Sequence, residues 1–578
     1  MRNLILQEVM DRLRARFERL YPDRVEQCMD RVQMTIGRYG VGYSHHSLQQ
    51  RWNEKDAVLI TYGDSIRSES ATPLQTLRQF ATRHFMGAFS TIHLLPFYPY
   101  SSDDGFSVIN YRKVDPELGT WKDINSLKDH FHLMFDWVLN HVSAKSSWFR
   151  DYRNGILPYR DYFVQESPDT DLSAVTRPRT SPLLTEVSTK RGKRHVWTTF
   201  SADQVDLDWS NPDVFFEMLD VLFGYIANGA RIVRLDAVAF LWKRVGTNCL
   251  HLDETHEVIR LLRDILQIAA PSVIVLTETN VPHEENISYF GKGDEAHMVY
   301  QFTLPPLLLH GLLRGTAGPL TDWAQNLPPL PPDCTYFNFT ASHDGIGVRP
   351  LEGILPREEV DFLGESVKAR GGRLSYRTQP DGSKSVYEMN VTYFSALSSD
   401  TQEAPEIGEQ RFLCSQLVAV ALKGIPGIYV HSLTATINDE QGVIESGMPR
   451  RINRRKWDEA ELEQLLRDDS THHHRIFYKF LDILRRRARC NAFHPEASQE
   501  LLALDERVFT VVRRNPHSGK QVICLNNFSN EEVTVHLGSQ FPSGSIHELV
   551  EDRPWESDSK KITLAPYQTC WLASTTKH

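Results

Sequence analysis

The chain has 578 residues and a mass of 66.4 kDa, with 41% hydrophobic and 24% charged residues, the make-up of a water-soluble globular protein too long for one ordinary domain. Its formal net charge of −10 is mild for this size and argues against a nucleic-acid partner. Seven cysteines without a CxxC or CxxH pairing read as reduced thiols of a cytoplasmic protein rather than as a disulfide frame or a zinc site.

In chain order, MRNLILQEVMDRLRARFERLY is amphipathic and studded with charge, and lacks the apolar core and cleavage site of a signal peptide. No run reaches the roughly 18 apolar residues of a membrane span. Residues 1–55 are expected to be helical, with Leu4, Ile5, Val9, Leu13, Phe17 and Leu20 on one stripe. From 56 to 490, eight short apolar runs alternate with helical stretches: AVLITY (57–62), TIHLLP (91–96), HLMFDWVLN (132–140), ARIVRL (230–235), SVIVLT (272–277), MVYQF (298–302), TYFNF (335–339) and GIYV (427–430). Eight βα units predict an α/β fold, the (β/α)8 TIM barrel. Two connections are too long to be plain loops. One spans about 143–205 and holds SPDTDLSAVTRPRTSPLLT; the other spans about 350–408 and carries GG, DG and SSD turn signals. Both are expected to run over the barrel mouth. From 497 to 578 the pattern changes to VFTVVRR, VICLNNF, VTVHL and ITLAPYQTCWLA, short runs that predict a C-terminal antiparallel, sandwich-like β domain.

Four strand-end segments carry the chemistry: FDWVLNH (135–141), RIVRLDAVAF (231–240), VLTETN (275–280) and NFTASHD (338–344). Each opens apolar and ends in ionisable residues, as buried parallel strands do where they open into a cleft. A lone Asp after a strand is most often a helix cap. Four such ends at successive barrel strands are not explained by independent caps. Retaining cleavage of a glucosidic bond needs two carboxyl groups about 5 to 5.5 Å apart, one as nucleophile and one as acid and base. Asp236 ends its strand, with Arg234 two residues earlier on the same face to keep it ionised. Glu278 ends the next strand, where an apolar mouth would raise its pKa as a general acid requires. Asp344 is placed to steady the transition state, and His141 and His343 to contact sugar hydroxyls. Asp103 and Arg454 are expected to close the far side of the glucose pocket, with Phe106 offering an apolar face.

These four segments, in this order, resemble the conserved regions of the α-amylase family of retaining glycosidases. DDGF (103–106), LPPLLLHGL (304–312) and INRRK (452–456) narrow the resemblance to the branch containing sucrose phosphorylase. DLSAVTRPR, RHVWTTFSADQVDLDW, NVPHEENISYFG and NFTASHDGIG look most like its members that phosphorolyse glucosylglycerate. The resemblance covers nearly the whole chain and places the same roles at the matching residues. It implies transfer of glucose to phosphate, giving glucose 1-phosphate and glycerate. A sucrose or sucrose 6′-phosphate phosphorylase, a hydrolase or transglucosidase, and a catalytically dead binding protein are the alternatives.

A phosphorylase must hold an anion beside Glu278. Arg177 and Arg179, stiffened by the proline between them, are the candidates for phosphate or an acceptor carboxylate, with Arg349 next. The basic clusters near 190, 454 and 485 read mostly as solvated surface, Arg454 excepted. Asn140 matches a position that helps hold calcium in many amylases, but no cage of oxygen ligands is evident, so it reads as structural. No metal and no cofactor are expected. The expected partners are small molecules (α-glucoside, phosphate, glucose 1-phosphate, glycerate), with no nucleic acid or membrane, and a homodimer is left open.

Overall fold

The eight apolar runs are largely buried on both faces, exposed only at His132 and Ser272 at the start of two of them, as a helix-covered parallel sheet requires of its strands. The computed structural model describes residues 2–39, 51–179, 181–378, 384–398, 403–541, 545–555 and 560–575. The runs become β1 (Val58–Thr61), β2 (Thr91–Leu94), β3 (His132–Val138), β4 (Ala230–Asp236), β5 (Ile274–Thr277), β6 (Met298–Tyr300), β7 (Thr335–Phe339) and β8 (Ile425–Tyr429). They close into one parallel barrel in sequence order, with β8 pairing back onto β1. The (β/α)8 expectation holds for all eight strands.

Strand register positions the chemistry. Val138 of β3 lies opposite Asp236 of β4, and Leu235 lies opposite Thr277 of β5. The Glu278 amide then donates to the Leu235 carbonyl at 3.2 Å, so Asp236 and Glu278 leave neighbouring strand ends at one rim.

Two helices precede the barrel, α1 (Arg2–Leu20) and α2 (Val25–Tyr39). Val9, Leu13, Phe17 and Leu20 of the expected stripe are buried; the side chains of Leu4 and Ile5 lie outside the described residues. The stripe packs on the barrel helices α3 (Pro212–Ala227) and α4 (Asp253–Ala269), and Arg16 binds Asp264 at 2.6 Å and Glu257 at 3.2 Å beside it. Helix α3 starts where Asn211 accepts a hydrogen bond from the Asp213 amide and Pro212 takes the first helical position.

Among their described residues the two long connections carry regular structure. The first carries a helix (Ser147–Asn154), a hairpin (Leu184–Thr189 with Gly192–Trp197) and a strand (Gln204–Asp206) antiparallel to His141–Ser143. The second carries a helix (Arg357–Ala369) and a hairpin (Arg373–Thr378 with Lys384–Asn390). Ile346–Gly347, just past β7, joins that hairpin as a third strand. Asp381, Gly382, Ser399 and Asp400, among its turn signals, lie outside the described residues.

Beyond residue 497, six strands form one antiparallel sheet, and Val533–His536 pairs with Lys561–Leu564 in a second. Val533, Val535, Ile562 and Leu564 alternate inward and share a core with Val508, Ile523, Leu525 and Leu572 of the larger sheet. The reading of the 485 cluster as surface fails at Arg487. That side chain is 1% exposed and donates to the Val420 and Glu54 carbonyls at 2.8 and 2.9 Å. A guanidinium can donate to carbonyls of two segments at once, so it can be buried as a cross-tie. No helix among the described residues is long and apolar enough to cross a membrane.

Candidate active site

The strand ends open into a cavity of about 600 Å³. Asp236, Glu278, Asp344, Asp103, Phe106, His141, His343, Arg177, Arg179 and Arg349 all line it. Arg234 and Arg454 do not; each is fully buried behind the wall it supports.

Arg234 organises the floor. Its Nη1 donates to Asp236 Oδ1 at 2.8 Å and also to Asp136, and its Nη2 lies 3.7 Å from Glu278 Oε2. Asp136 is completely buried and accepts from His93 Nε2 at 2.7 Å. Burial alone would raise Asp136, but Arg234 and His93 outweigh it and hold the carboxyl below its ordinary range. The Ala237 amide donates to Glu278 Oε2 at 3.1 Å, and Ala237 itself sits at φ 51°. A non-glycine residue in that region marks a turn held by its surroundings. Both Asp236 and Glu278 are raised, Glu278 by burial, Asp344 and Asp136, and Asp236 by burial and by Glu278, against the pull of Arg234. Arg234 opposes this rise more closely at Asp236, at 2.8 Å, than at Glu278, at 3.7 Å. Charged groups share the mouth with apolar ones, so Glu278 is raised by neighbouring charge as well as by burial.

Asp344 behaves oppositely. Burial would raise it, but His343 and the guanidiniums of Arg450 and Arg454 draw it well below the carboxylate range. Arg450 Nη1 binds Asp344 Oδ1 at 2.7 Å and Arg450 Nη2 binds Glu388 at 2.9 Å. His343 stacks on Phe106 with ring centres 4.7 Å apart, and burial lowers its pKa to about 3. It is a neutral ring at working pH. His141 Nε2 is 3.0 Å from the Phe106 carbonyl, and Gln204 Nε2 reaches both His141 (3.2 Å) and Asp103 (3.4 Å).

Asp103 lines the cavity, but Arg454, expected to close the far side of the glucose pocket with it, stands behind the wall. Arg454 Nη1 binds Asp104 at 2.6 Å, and its Nε donates to the His343 carbonyl at 2.7 Å. Arg450, four residues earlier in the same basic cluster, is the arginine that faces the cavity. A run of arginines reads as solvated surface, and nothing in one dimension shows which member turns inward. Gln204, Phe200, Tyr387 and Glu388 were likewise missed, because they come from the two long connections, which have no strand-end pattern to flag them.

Arg177 and Arg179 reach the cavity, as expected of them. Arg177 is exposed and donates to the Ser181 carbonyl, while Arg179 is half-buried. Asn140 is committed elsewhere. Its Oδ1 accepts from Lys243 Nζ at 2.6 Å, and that ammonium also binds Asp206 at 2.7 Å and the Phe240 carbonyl. A side-chain cation thus sits among the oxygens around Asn140. Among the described residues, no group of three His, Cys, Asp or Glu side chains is arranged to hold a metal.

Comparison with known proteins agrees with this architecture. The alpha amylase catalytic-domain family matches residues 86–310. A glucosylglycerate phosphorylase of Spirochaeta thermophila is 46% identical over 530 residues, 89% of each chain. Another, of Escherichia coli, is 43% identical over 526 residues, 91% of this chain and 93% of its own. The crystal structure of sucrose 6F-phosphate phosphorylase from Thermoanaerobacter thermosaccharolyticum superposes with a TM-score of 0.73 at 24% identity, covering 91% of this chain and all of that one. At that identity the likeness shows the shared fold. The chain belongs to the glucosylglycerate phosphorylase family of α-amylase-fold enzymes.

Proposed function

We propose that the chain catalyses the reversible phosphorolysis of 2-O-α-D-glucosyl-D-glycerate to α-D-glucose 1-phosphate and D-glycerate, by a retaining double displacement. One observation carries this reading. Two carboxyl groups on adjacent strand ends share one buried guanidinium, in a cavity whose walls bring arginines from both long connections.

Asp236 and Glu278 are close enough to titrate as a pair. Of the two, Asp236 has the shorter contact with Arg234, 2.8 against 3.7 Å, so it is the one favoured as carboxylate, with the proton on Glu278. In the first half-reaction the Asp236 carboxylate bonds to the anomeric carbon and the glycosidic C–O bond breaks. Glu278 gives its proton to the departing glycerate oxygen. In the second, a phosphate oxygen bonds to the same carbon, the Asp236 ester breaks, and the phosphate proton passes to Glu278. Asp344, anionic beside Arg450, His343 and His141 are placed to hold ring hydroxyls, and Phe106 and Asp103 to bound the glucose. Arg234 and Arg454 support this pocket from behind. The site needs no cofactor for these steps, and seven free cysteines favour a reducing, cytoplasmic setting.

The test is release of phosphate from glucose 1-phosphate with D-glycerate, fructose, fructose 6-phosphate and glycerol as acceptors. Fastest release with glycerate is expected. A preference for fructose would favour the sucrose phosphorylase reading, and free glucose with every acceptor would favour a hydrolase.

A further inference from the structure

The cavity holds more positive charge than the glucosyl transfer uses, and part of it is already neutralised. Arg450 is committed to Asp344 at 2.7 Å and Glu388 at 2.9 Å. Arg377 is bound to Glu352 at 2.5 Å. Arg349 differs. It lines the cavity, its Nε is buried without a hydrogen-bond partner, and its nearest carboxylate, Glu352, is 3.9 Å away and already taken by Arg377. A buried guanidinium N–H left without an acceptor is costly unless a ligand supplies one.

Its position says which ligand. Val348, the residue before Arg349, donates its amide to the Tyr387 carbonyl at 3.3 Å, which pins this stretch to the hairpin of the second connection. Two residues before Arg349, Gly347 lies so close to Asn280 that an added Cβ would stand 2.3 Å from the Asn280 Nδ2. Asn280 is two residues past Glu278. The segment carrying Arg349 therefore abuts the wall that carries the acid and base. In a 2-O-linked glycerate, the carboxylate sits on the same carbon as the oxygen that Glu278 protonates. An anchor for that carboxylate must stand beside Glu278, and Arg349, a cation without a close carboxylate partner, is on the segment that meets that wall.

Resting on the function proposed above, we infer that Arg349 binds the carboxylate of the α-hydroxy acid and so selects an acidic acceptor over a neutral polyol. Phosphate is left to the arginines of the first connection. A guanidinium offers two parallel donors, which match a carboxylate in a way an ammonium does not.

The experiment compares wild type with Arg349→Met and Arg349→Lys, measuring KM for D-glycerate and for glycerol with glucose 1-phosphate as donor, and KM for phosphate with glucosylglycerate. Hydrolysis of α-glucosyl fluoride reports whether each variant is folded and keeps its glucose side. Arg349→Met is expected to raise the glycerate KM about tenfold to a hundredfold, the worth of one charge-assisted contact. Selectivity for glycerate over glycerol should fall by a similar factor, with Arg349→Lys between the two. Unchanged selectivity in both folded variants overturns the inference while leaving the proposed function standing. An equal rise in the phosphate KM overturns the assignment to the carboxylate, since Arg349 would then be a general anion site. A wild-type enzyme indifferent to glycerate removes the proposed function itself, and this inference with it.

Discussion

Arg234 spreads one guanidinium over Asp136, Asp236 and Glu278, and this sets what single substitutions should do. Removing a partner from such a buried cluster leaves charge uncompensated. On the reading of Asp236 as nucleophile, Asp236→Asn keeps shape and hydrogen bonding but removes the covalent path. Activity should drop by several orders of magnitude while the chain still folds, since Asp136 and Glu278 remain beside Arg234; turnover near wild type would end that assignment. Glu278→Gln should be far more damaging with glucosylglycerate than with α-glucosyl fluoride, because fluoride leaves with little protonation. Measured kcat/KM ratios decide it, and equal losses on both substrates would speak against an acid role.

The long connections carry the next scale. Arg177 and Arg179 stand on the first, which is tied down by the antiparallel pairing of Gln204–Asp206 with His141–Ser143. If they hold phosphate, alanine at either should raise the phosphate KM about tenfold to a hundredfold. Hydrolysis should then take a larger share of turnover, since water needs no such anchor. Arg179, half-buried, should matter more than exposed Arg177. The same connection supplies Asp206, which Lys243 joins to Asn140. Since an ammonium already bridges these oxygens, full activity is expected after exhaustive chelation. Lys243→Met should instead lower the unfolding midpoint, because it strands Asp206 and Asn140 in a buried site. Activity lost to chelator and restored by calcium would contradict this.

At the scale of the whole molecule, burial of histidines predicts how stability follows pH. His343 and His431 are lowered to about 3, and His251 and His473 to about 4, each mainly by burial. Their unfolded value is near 6.5. Between these limits the unfolded chain binds more protons than the folded one, so stability is full above about pH 6.5 and falls as pH drops. Each histidine contributes about 1.4 kcal/mol per pH unit within its window. Urea midpoints measured from pH 7 to 4.5 should decline steadily, and His431→Gln should flatten the slope. A flat profile would show that these rings are protonated in the native state.

What the sequence determined by itself is the strand set and the three carboxylates at its strand ends, and the reason is local. A strand buried on both faces must be continuously apolar, and its polar end must face a cleft, so eight runs and their last residues are legible in one dimension. Asp236, Glu278 and Asp344 are read that way, and all three reach one cavity. The tertiary structure alone decided which arginine of a basic run turns inward, so Arg450 faces Asp344 while Arg454 holds Asp104 and the His343 carbonyl from behind. It also decided that Lys243 stands among the oxygens around Asn140, from 103 residues away in sequence. Burial of a charge depends on partners brought from distant segments, and no periodicity in the chain encodes which partners those are.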